Sequence, residues 1–175
     1  ESALTPRGRD VSPMQTPLDR SEAERLVHTY SDLILRLSYT YLKSTYDAQD
    51  ICQTIFLKLL QKPRRFDSEE HERAWIIRAA VNLCKDHLKS HWRQTTVNLD
   101  AAGAVPAPEA GDGSLLAAVN LLPPKYRAVI YLYYYEGYEA REIADLLGEK
   151  PATISTRLNR GRHQLRTLLE SEGLV

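Results

Sequence analysis

Apolar residues in the first half of the chain recur every three or four positions, which is the spacing of a buried helical face and not of a strand. Three such runs predict helices over residues 23–41, 47–60 and 72–92. The predicted buried positions are Leu26, Val27, Tyr30, Leu33, Ile34, Leu37 and Tyr41 in the first helix, Ile51, Ile55, Leu59 and Leu60 in the second, and Trp75, Ile76, Ala79, Ala80, Leu83 and Leu88 in the third. Asp47 is placed to cap the second helix, and Pro63 to end it.

The helical periodicity stops over residues 95–114. This stretch is rich in Ala, Gly and Pro, and it carries three acidic residues and no Lys or Arg. Because so few of its side chains could enter a core, it is predicted to be a flexible linker. Residues 1–13 also stand apart, since residues 4–8 resemble a protease-cleavable linker and Met14 is the only methionine. We expect them to be a remnant of an expression vector.

Helical periodicity resumes at about residue 115, and residues 140–169 have the features of a helix-turn-helix. Gly148 is suited to end the first helix, because glycine enters the left-handed conformation at low cost. Pro151 is suited to begin the next helix, and Ala144 is small where two helices would cross closely. Residues 150–166 include five Lys and Arg residues and no acidic one. A basic helix after a tight turn suits the major groove of DNA, although many basic helix faces are only solvated surfaces.

Charge and cysteine content narrow the function further. The 23 Lys and Arg residues balance 23 acidic ones, so we expect the isolated chain to bind duplex DNA weakly. Cys52 and Cys84 lie within apolar helical patterns and are predicted to be buried free thiols, since no Cys or His spacing suits zinc. No nucleotide-binding loop, metal cluster or nucleophile–base pair is visible, so neither enzyme activity nor a cofactor is predicted. The absence of a transmembrane-length apolar run or a signal peptide predicts a soluble, cytoplasmic protein without membrane insertion.

Two sets of residues, one in each half, form motifs that occur together in one family. The first set is Asp47-Ala48-x-Asp50-Ile51-x-Gln53, Phe56, Phe66, Ala74-Trp75-Ile76, Arg78, Ala80, Asn82-Leu83, Asp86 and Leu88. The second is Leu122-Pro123, Arg127, Val129, Leu132, Gly137, Glu142-Ile143-Ala144, Leu147-Gly148, Thr153-Ile154, Arg157-Leu158, Arg160 and Arg162. Over nearly the whole chain after Met14, they resemble an extracytoplasmic-function (ECF, group 4) sigma factor of the sigma-70 family of bacterial RNA polymerase.

The resemblance implies an all-α fold of two small helical domains joined by a flexible linker. The first is a region 2 bundle over residues 18–94, the linker covers 95–114, and the second is a region 4 helix-turn-helix domain over 115–175. The implied function is to bind core polymerase through its β′ and β subunits and to direct initiation at promoters, under control of an anti-sigma factor. The linker would thread through the polymerase cleft, although a solvated tether explains its composition equally well.

By the resemblance, the second helix docks on the coiled coil of the polymerase β′ subunit. The implied contacts are Asp47, Asp50, Ile51, Gln53, Phe56 and Leu57. The polar members can meet arginines on a partner, and the apolar members can act as anchors. Relatives commonly place Glu after the glutamine, whereas this chain has Thr54, so one acidic contact is missing from the pattern.

The third helix and the loop before it resemble the part that opens and reads the promoter −10 element. The implied contacts are Phe66, Arg78, Asn82, Lys85, Asp86, Lys89, Trp92 and Arg93. Arg73 would add charge, and residues 66–71 would form a pocket for an unstacked base. The apolar pattern around Trp75 favours core packing over stacking on a DNA base. The position of Trp92 is compatible with either DNA contact or surface packing. The acids at positions 69, 70 and 72 would face away from the DNA strand or tune specificity.

The helix from Pro151 resembles the reader of the −35 element. The implied contacts are Lys150, Thr153, Ser155, Thr156, Arg157, Asn159, Arg160 and Arg162. Polar residues near the helix start would contact bases, and the arginines would contact phosphates or guanine. Glu139 stands where relatives place a Ser or Thr cap, so the preceding helix is expected to fray at its start or to be held by packing of Tyr138.

Two other functions compete for the helix-turn-helix pattern. A repressor or response-regulator output domain would bind operator DNA alone and would need a ligand pocket or a phosphoacceptor Asp in the N-terminal half, where the pattern shows neither. An enzyme acting on nucleic acid would need clustered carboxylates for a metal, and Asp47 and Asp50 are better explained as cap and docking residues.

Overall fold

The computed structural model describes residues 18–97, 114–171 and 173. The described parts are helical, as predicted, with α1 (Arg20–Leu42), α2 (Thr45–Gln61), α3 (Glu69–Val97), α4 (Ser114–Leu121), α5 (Pro124–Tyr134), α6 (Ala140–Leu147) and α7 (Pro151–Ser171). Helices α1–α3 pack together as an N-terminal group, and α4–α7 as a C-terminal group. The expectations for residues 1–13 and for most of the linker fall outside the described residues.

The three predicted N-terminal helices are present, and each is longer than the apolar pattern indicated. Helix α3 continues to Val97, into the stretch predicted to be linker. The expected cap of α2 was wrong, because α2 begins before Asp47 and the Ser44 hydroxyl accepts a 3.2 Å hydrogen bond from the Asp47 backbone N–H. Val27 and Leu60, predicted to be buried, are 45% and 48% exposed, because each lies at the edge of its helical stripe.

A buried carboxylate joins α3 to α1. The Glu72 side chain is buried and accepts hydrogen bonds from Arg25 Nη2 at 2.7 Å and from the Tyr30 hydroxyl at 2.8 Å. These charge-assisted bonds compensate for removing the carboxylate from water. Glu72 therefore holds the bundle together and does not face DNA, whereas Glu69 and Glu70 remain exposed.

The predicted helix-turn-helix is formed by α6 and α7. Gly148 ends α6 in the left-handed conformation, with φ of 65°, as its position predicted. The start of α6 is held by a capping box, in which the Glu139 side chain accepts from the Glu142 backbone N–H and Glu142 Oε2 accepts a 2.8 Å hydrogen bond from the Glu139 backbone N–H. Gly161 brings α7 close to α5, since a Cβ there would lie 3.2 Å from Ile130 Cγ1.

The N-terminal and C-terminal groups pack against each other, with α5 on α1 and α6 on α3. Arg127 lies at this junction and is only 2% exposed. Its guanidinium donates to the Tyr41 carbonyl at 3.1 Å and to the Asn120 carbonyl at 3.0 Å. Both carbonyls lie at the carboxyl ends of helices, where the helix dipole favours a cation. Burial nevertheless lowers the pKa of Arg127 to about 10.

Two further expectations concern single features of the described residues. Cys52 and Cys84 are free and buried, as predicted. Burial raises the pKa of both thiols, that of Cys84 to about 11, which favours the unreactive protonated form. None of the described helices combines the length and apolar content needed to cross a membrane.

Candidate nucleic-acid and polymerase interfaces

Helix α3 carries a polar stripe along one face. Five of the residues expected to contact the −10 element recur at steps of three or four and share this face, namely Arg78, Asn82, Lys85, Lys89 and Trp92. At 1.5 Å per residue the stripe extends over about 21 Å. Trp92, near the C-terminal end of the stripe, is 74% exposed, and the exposed Asp86 lies at the edge of the stripe. The side chain of Arg93 lies outside the described part of the chain.

The loop before α3 forms an aromatic cluster with the first turns of the helix. The Phe66 ring lies 5.5 Å from the His71 ring and 5.8 Å from the Trp75 ring, measured between centroids. The Arg64 guanidinium lies 5.1 Å from the centroid of Trp75. Trp75 is half-buried against the core, as its apolar pattern indicated. The cluster places ring faces and a cation together, which suits contact with an unstacked base.

Two arginines of α3 contact the C-terminal group. Arg73 Nη2 donates to Glu136 Oε2, and its Nε donates to the Tyr138 hydroxyl at 3.1 Å. Burial lowers the pKa of Arg73, but Tyr138 and Glu136 outweigh this effect and leave it raised. Arg78 Nη2 lies 3.5 Å from the Asp145 carbonyl oxygen, at the limit of a hydrogen bond. The start of the stripe on α3 therefore lies close to α6, although Arg78 itself remains exposed.

The outer face of α2 combines carboxylate, amide and apolar side chains. Asp50 and Gln53 are exposed, Leu57 is 54% exposed, and Phe56 is half-buried beside them. The pattern missed Tyr46, which is 81% exposed on the first turn of this helix. A large exposed aromatic ring on the same helix face as an exposed leucine is typical of a surface that a partner covers.

The structure corrects one expected docking residue and qualifies another. Ile51 is only 7% exposed because its side chain enters the core of the N-terminal group, so it cannot form part of the α2 surface. Asp47 Oδ2 lies 3.4 Å from His87 Nε2, which links α2 to α3.

A groove of about 350 Å³ runs between the start of α5 and the first turns of α7. Four of its lining side chains are Lys125, Thr153, Thr156 and Arg160. Sequence reasoning missed Lys125, because it lies on α5, far from the recognition helix in the chain. Arg160 is exposed and makes no ion pair or hydrogen bond with other described residues. Lys150, Ser155 and Asn159 are also exposed on this part of α7 or just before it.

The other two arginines expected to contact the −35 element are already bonded. Arg157 Nη2 pairs with Glu149 Oε1 at 3.1 Å. Arg162 Nε donates to the Tyr134 hydroxyl at 2.8 Å, and its guanidinium lies 5.1 Å from the Tyr133 ring centroid. These bonds fix the direction of the guanidinium groups while leaving other N–H groups to donate. Arg160 is thus the arginine of this set with the most freedom to contact DNA.

Comparison with known proteins assigns the family. The model of Sigma-70 region 2 matches residues 26–94, and that of Sigma-70 region 4 matches residues 112–165. The ECF RNA polymerase sigma factor SigW of Bacillus subtilis is 30% identical over 169 residues, which cover 86% of this chain and 90% of SigW. The chain belongs to the ECF sigma factors. SigE of Mycolicibacterium smegmatis, another ECF sigma factor, is 29% identical over 160 residues, 83% of this chain and 61% of SigE.

Two solved structures share the fold of this ECF sigma factor. The sigma factor RpoE from Bartonella quintana, solved with the anti-sigma factor NepR, superposes with a TM-score of 0.71 at 20% identity. The match covers 84% of this chain and 96% of RpoE. CnrH, solved with the cytosolic domain of CnrY, has a TM-score of 0.61 at 20% identity, over 87% of this chain and 90% of CnrH.

Proposed function

We propose that this ECF sigma factor binds core RNA polymerase and directs initiation by reading the −35 element with α7 and the −10 element with α3. The observation that supports this most is the presence of two exposed polar and basic faces on separate helices, in the order of regions 2 and 4. In this proposal residues 18–94 and 115–175 act as separate domains and residues 95–114 join them. The polymerase supplies the catalysis, and the chain acts in the cytoplasm, where transcription occurs.

The start of α7 would enter the major groove of the −35 element, and the surface between α5 and α7 would face the DNA. A recognition helix contacts base edges with residues near its start, and Thr153 and Thr156 line the groove there. Arg160 and Lys125 flank these hydroxyl groups and would contact phosphates, while Arg160 can also reach guanine. Phosphate contacts position the helix on DNA, and the threonine hydroxyls contribute to the choice of sequence.

The −10 element would lie along α3 as a melted strand. The cations of the polar stripe would hold the phosphates, and Asn82 and Asp86 would contact base edges. A base turned out of the stack would meet the cluster of Phe66, His71 and Trp75, where stacking on rings contributes about 1–3 kcal/mol per base. Binding then favours the melted strand over the duplex, which is how a protein without catalytic groups can open DNA.

The outer face of α2 would dock on the polymerase. Tyr46 and Leu57 would supply apolar contacts about 16 Å apart along the helix, and Asp50 and Gln53 between them would meet basic groups of the partner. We infer that an anti-sigma factor controls the chain, since RpoE was solved in complex with the anti-sigma factor NepR. The proposed partners are therefore the β′ and β subunits of core polymerase, promoter DNA and an anti-sigma factor.

Run-off transcription with purified bacterial core polymerase and a library of promoter fragments tests the proposed function. We expect transcripts that require the chain, from templates that share one −35 and one −10 sequence. Transcription that does not depend on the chain, together with tight sequence-specific binding of the chain alone to duplex DNA, would contradict the proposal and favour a repressor.

A further inference from the structure

Arg64 reaches from the loop between α2 and α3 over a ring at the start of α3. Its guanidinium lies 5.1 Å from the centroid of the Trp75 ring. Arg64 is exposed, and it makes no ion pair or hydrogen bond with other described residues. Attraction to the ring fixes the position of the guanidinium and leaves its N–H groups able to donate to a partner. Arg64 is therefore a directed cation with unused hydrogen-bond donors.

The ring under Arg64 lies on the same side of α3 as the polar stripe. Trp75 precedes Arg78 by three residues and Asn82 by seven. Because seven residues make nearly two helical turns, Trp75 and Asn82 lie within about 20° of each other around the helix axis. Arg64 therefore adds a positive charge at the amino end of the stripe, one turn before Arg78.

The acidic residues close to this cation in the sequence are directed elsewhere. Asp67 Oδ2 lies 3.7 Å from His71 Nδ1. Glu69 and Glu70 precede Trp75 by six and five residues, so they lie about 120° and 140° from it around α3. The guanidinium over the ring is thus left without a carboxylate partner among the described residues.

We propose that Arg64 is a further contact for the melted −10 strand, and that it binds the phosphate beside the base that the ring cluster receives. This rests on the proposed function, because it takes α3 as the helix that reads the −10 element. Proteins hold single strands where cations bind phosphates next to rings that stack on bases, and Arg64 brings both to one place. Its guanidinium can donate two parallel hydrogen bonds to a phosphate, which holds the strand while a base is out of the stack.

The substitution Arg64→Gln tests this contact, because glutamine keeps a polar side chain and removes the charge. Arg65→Gln is the matched control, since Arg65 is exposed in the same loop and makes no ring contact among the described residues. The full chains are compared for binding of a short fluorescent single strand of mixed sequence, because phosphate contacts do not depend on sequence. We expect Arg64→Gln to weaken binding roughly five- to tenfold, and Arg65→Gln less than about twofold.

The salt dependence and an abasic strand separate a phosphate contact from support of the rings. Loss of one phosphate contact should reduce the slope of log affinity against log salt concentration by about 0.7 for a single strand. Arg64→Lys keeps the charge and should recover most of that slope. On a strand of abasic sites, which keeps its phosphates, Arg64→Gln should still bind more weakly than the unsubstituted chain. If Arg64 only supported the rings, the slope would not change and the loss would vanish on the abasic strand.

Three results would overturn the proposal. The first is an unchanged affinity for Arg64→Gln, the second is an equal loss for Arg65→Gln, and the third is a loss confined to strands that carry bases. A failure of the proposed function is seen elsewhere, as transcription that does not depend on the chain. The strand-binding measurement compares the two arginines in either case, so the two failures are distinguishable.

Discussion

Helices α3 and α7 each carry exposed polar and basic side chains, but they differ in what their arginines contact. On α7, Arg160 faces an open groove and makes no bond with other described residues. On α3, Arg73 and Arg78 are directed to the C-terminal group. The difference shows that a helix can carry basic residues without leaving them free to bind a partner. Availability depends on how the two helical groups are arranged.

The contact between the groups contains buried polar side chains beside apolar residues of both groups, which form one continuous core. It includes the Arg73–Glu136 pair and the buried Arg127, whose pKa burial lowers to about 10. Polar groups lose hydration when they are buried and regain it when they separate, so such a contact favours closure less strongly than an apolar contact of the same area.

The largest expected effect comes from removing the bridge at the junction. Arg127→Ala should lower the free energy of unfolding by about 3 kcal/mol, because it leaves a cavity and deprives the Tyr41 and Asn120 carbonyls of a donor. Urea denaturation measures it, with the exposed Arg36→Ala on α1 as a control that should change little. A loss below 1 kcal/mol would show that Arg127 does not hold the two groups together.

The open groove on α7 is tested by Arg160→Ala. Binding of a duplex that carries the −35 sequence should weaken about tenfold, within the 1–3 kcal/mol range for a base or phosphate contact. Arg166→Ala, on the same helix but paired with Glu170, should change affinity less than twofold. Equal losses for the two substitutions would indicate only a general attraction of the basic helix for DNA, and would remove the contrast with α3.

The position of α7 relative to α5 is tested by Gly161→Ala. The added methyl group would lie 3.2 Å from Ile130 Cγ1, so α7 must shift or the isoleucine must move. We expect the free energy of unfolding to fall by about 1 kcal/mol, as for a mildly overpacked core. Thermal unfolding and binding to the −35 duplex should both change. Unaltered stability would mean that the close approach of these helices has no energetic importance.

The smallest expected effect is on the α2 face. Asp50→Ala should weaken binding to core polymerase about threefold, as for a charge at the edge of an interface, and leave the melting temperature unchanged. Asp32→Ala on the exposed side of α1 is the control. If Asp50→Ala lowers the melting temperature as well as the affinity for polymerase, the residue is structural and the docking surface lies elsewhere.

The fold followed from the sequence because its signals are local. Apolar periodicity located α1–α3, and Gly148 and Pro151 located the turn of the helix-turn-helix. The cap of α2 and the exposure of Leu60 were mispredicted, because helix ends and stripe edges shift by a residue without disturbing the pattern.

Contacts between distant segments were not predictable from the sequence. Nothing in the pattern indicates that Arg73 meets Glu136, 63 residues later, or that Lys125 of α5 joins the groove on α7. These assignments depend on how helices pack, and a single sequence does not record packing.

Run-off transcription from matched promoter templates tests the central claim most directly. One template carries both elements, a second has only its −35 sequence replaced, and a third has only its −10 sequence replaced. With core polymerase and this chain, the account predicts strong transcription from the first template and a large loss from each of the others. Full transcription from either altered template would contradict the claim that one chain reads both elements.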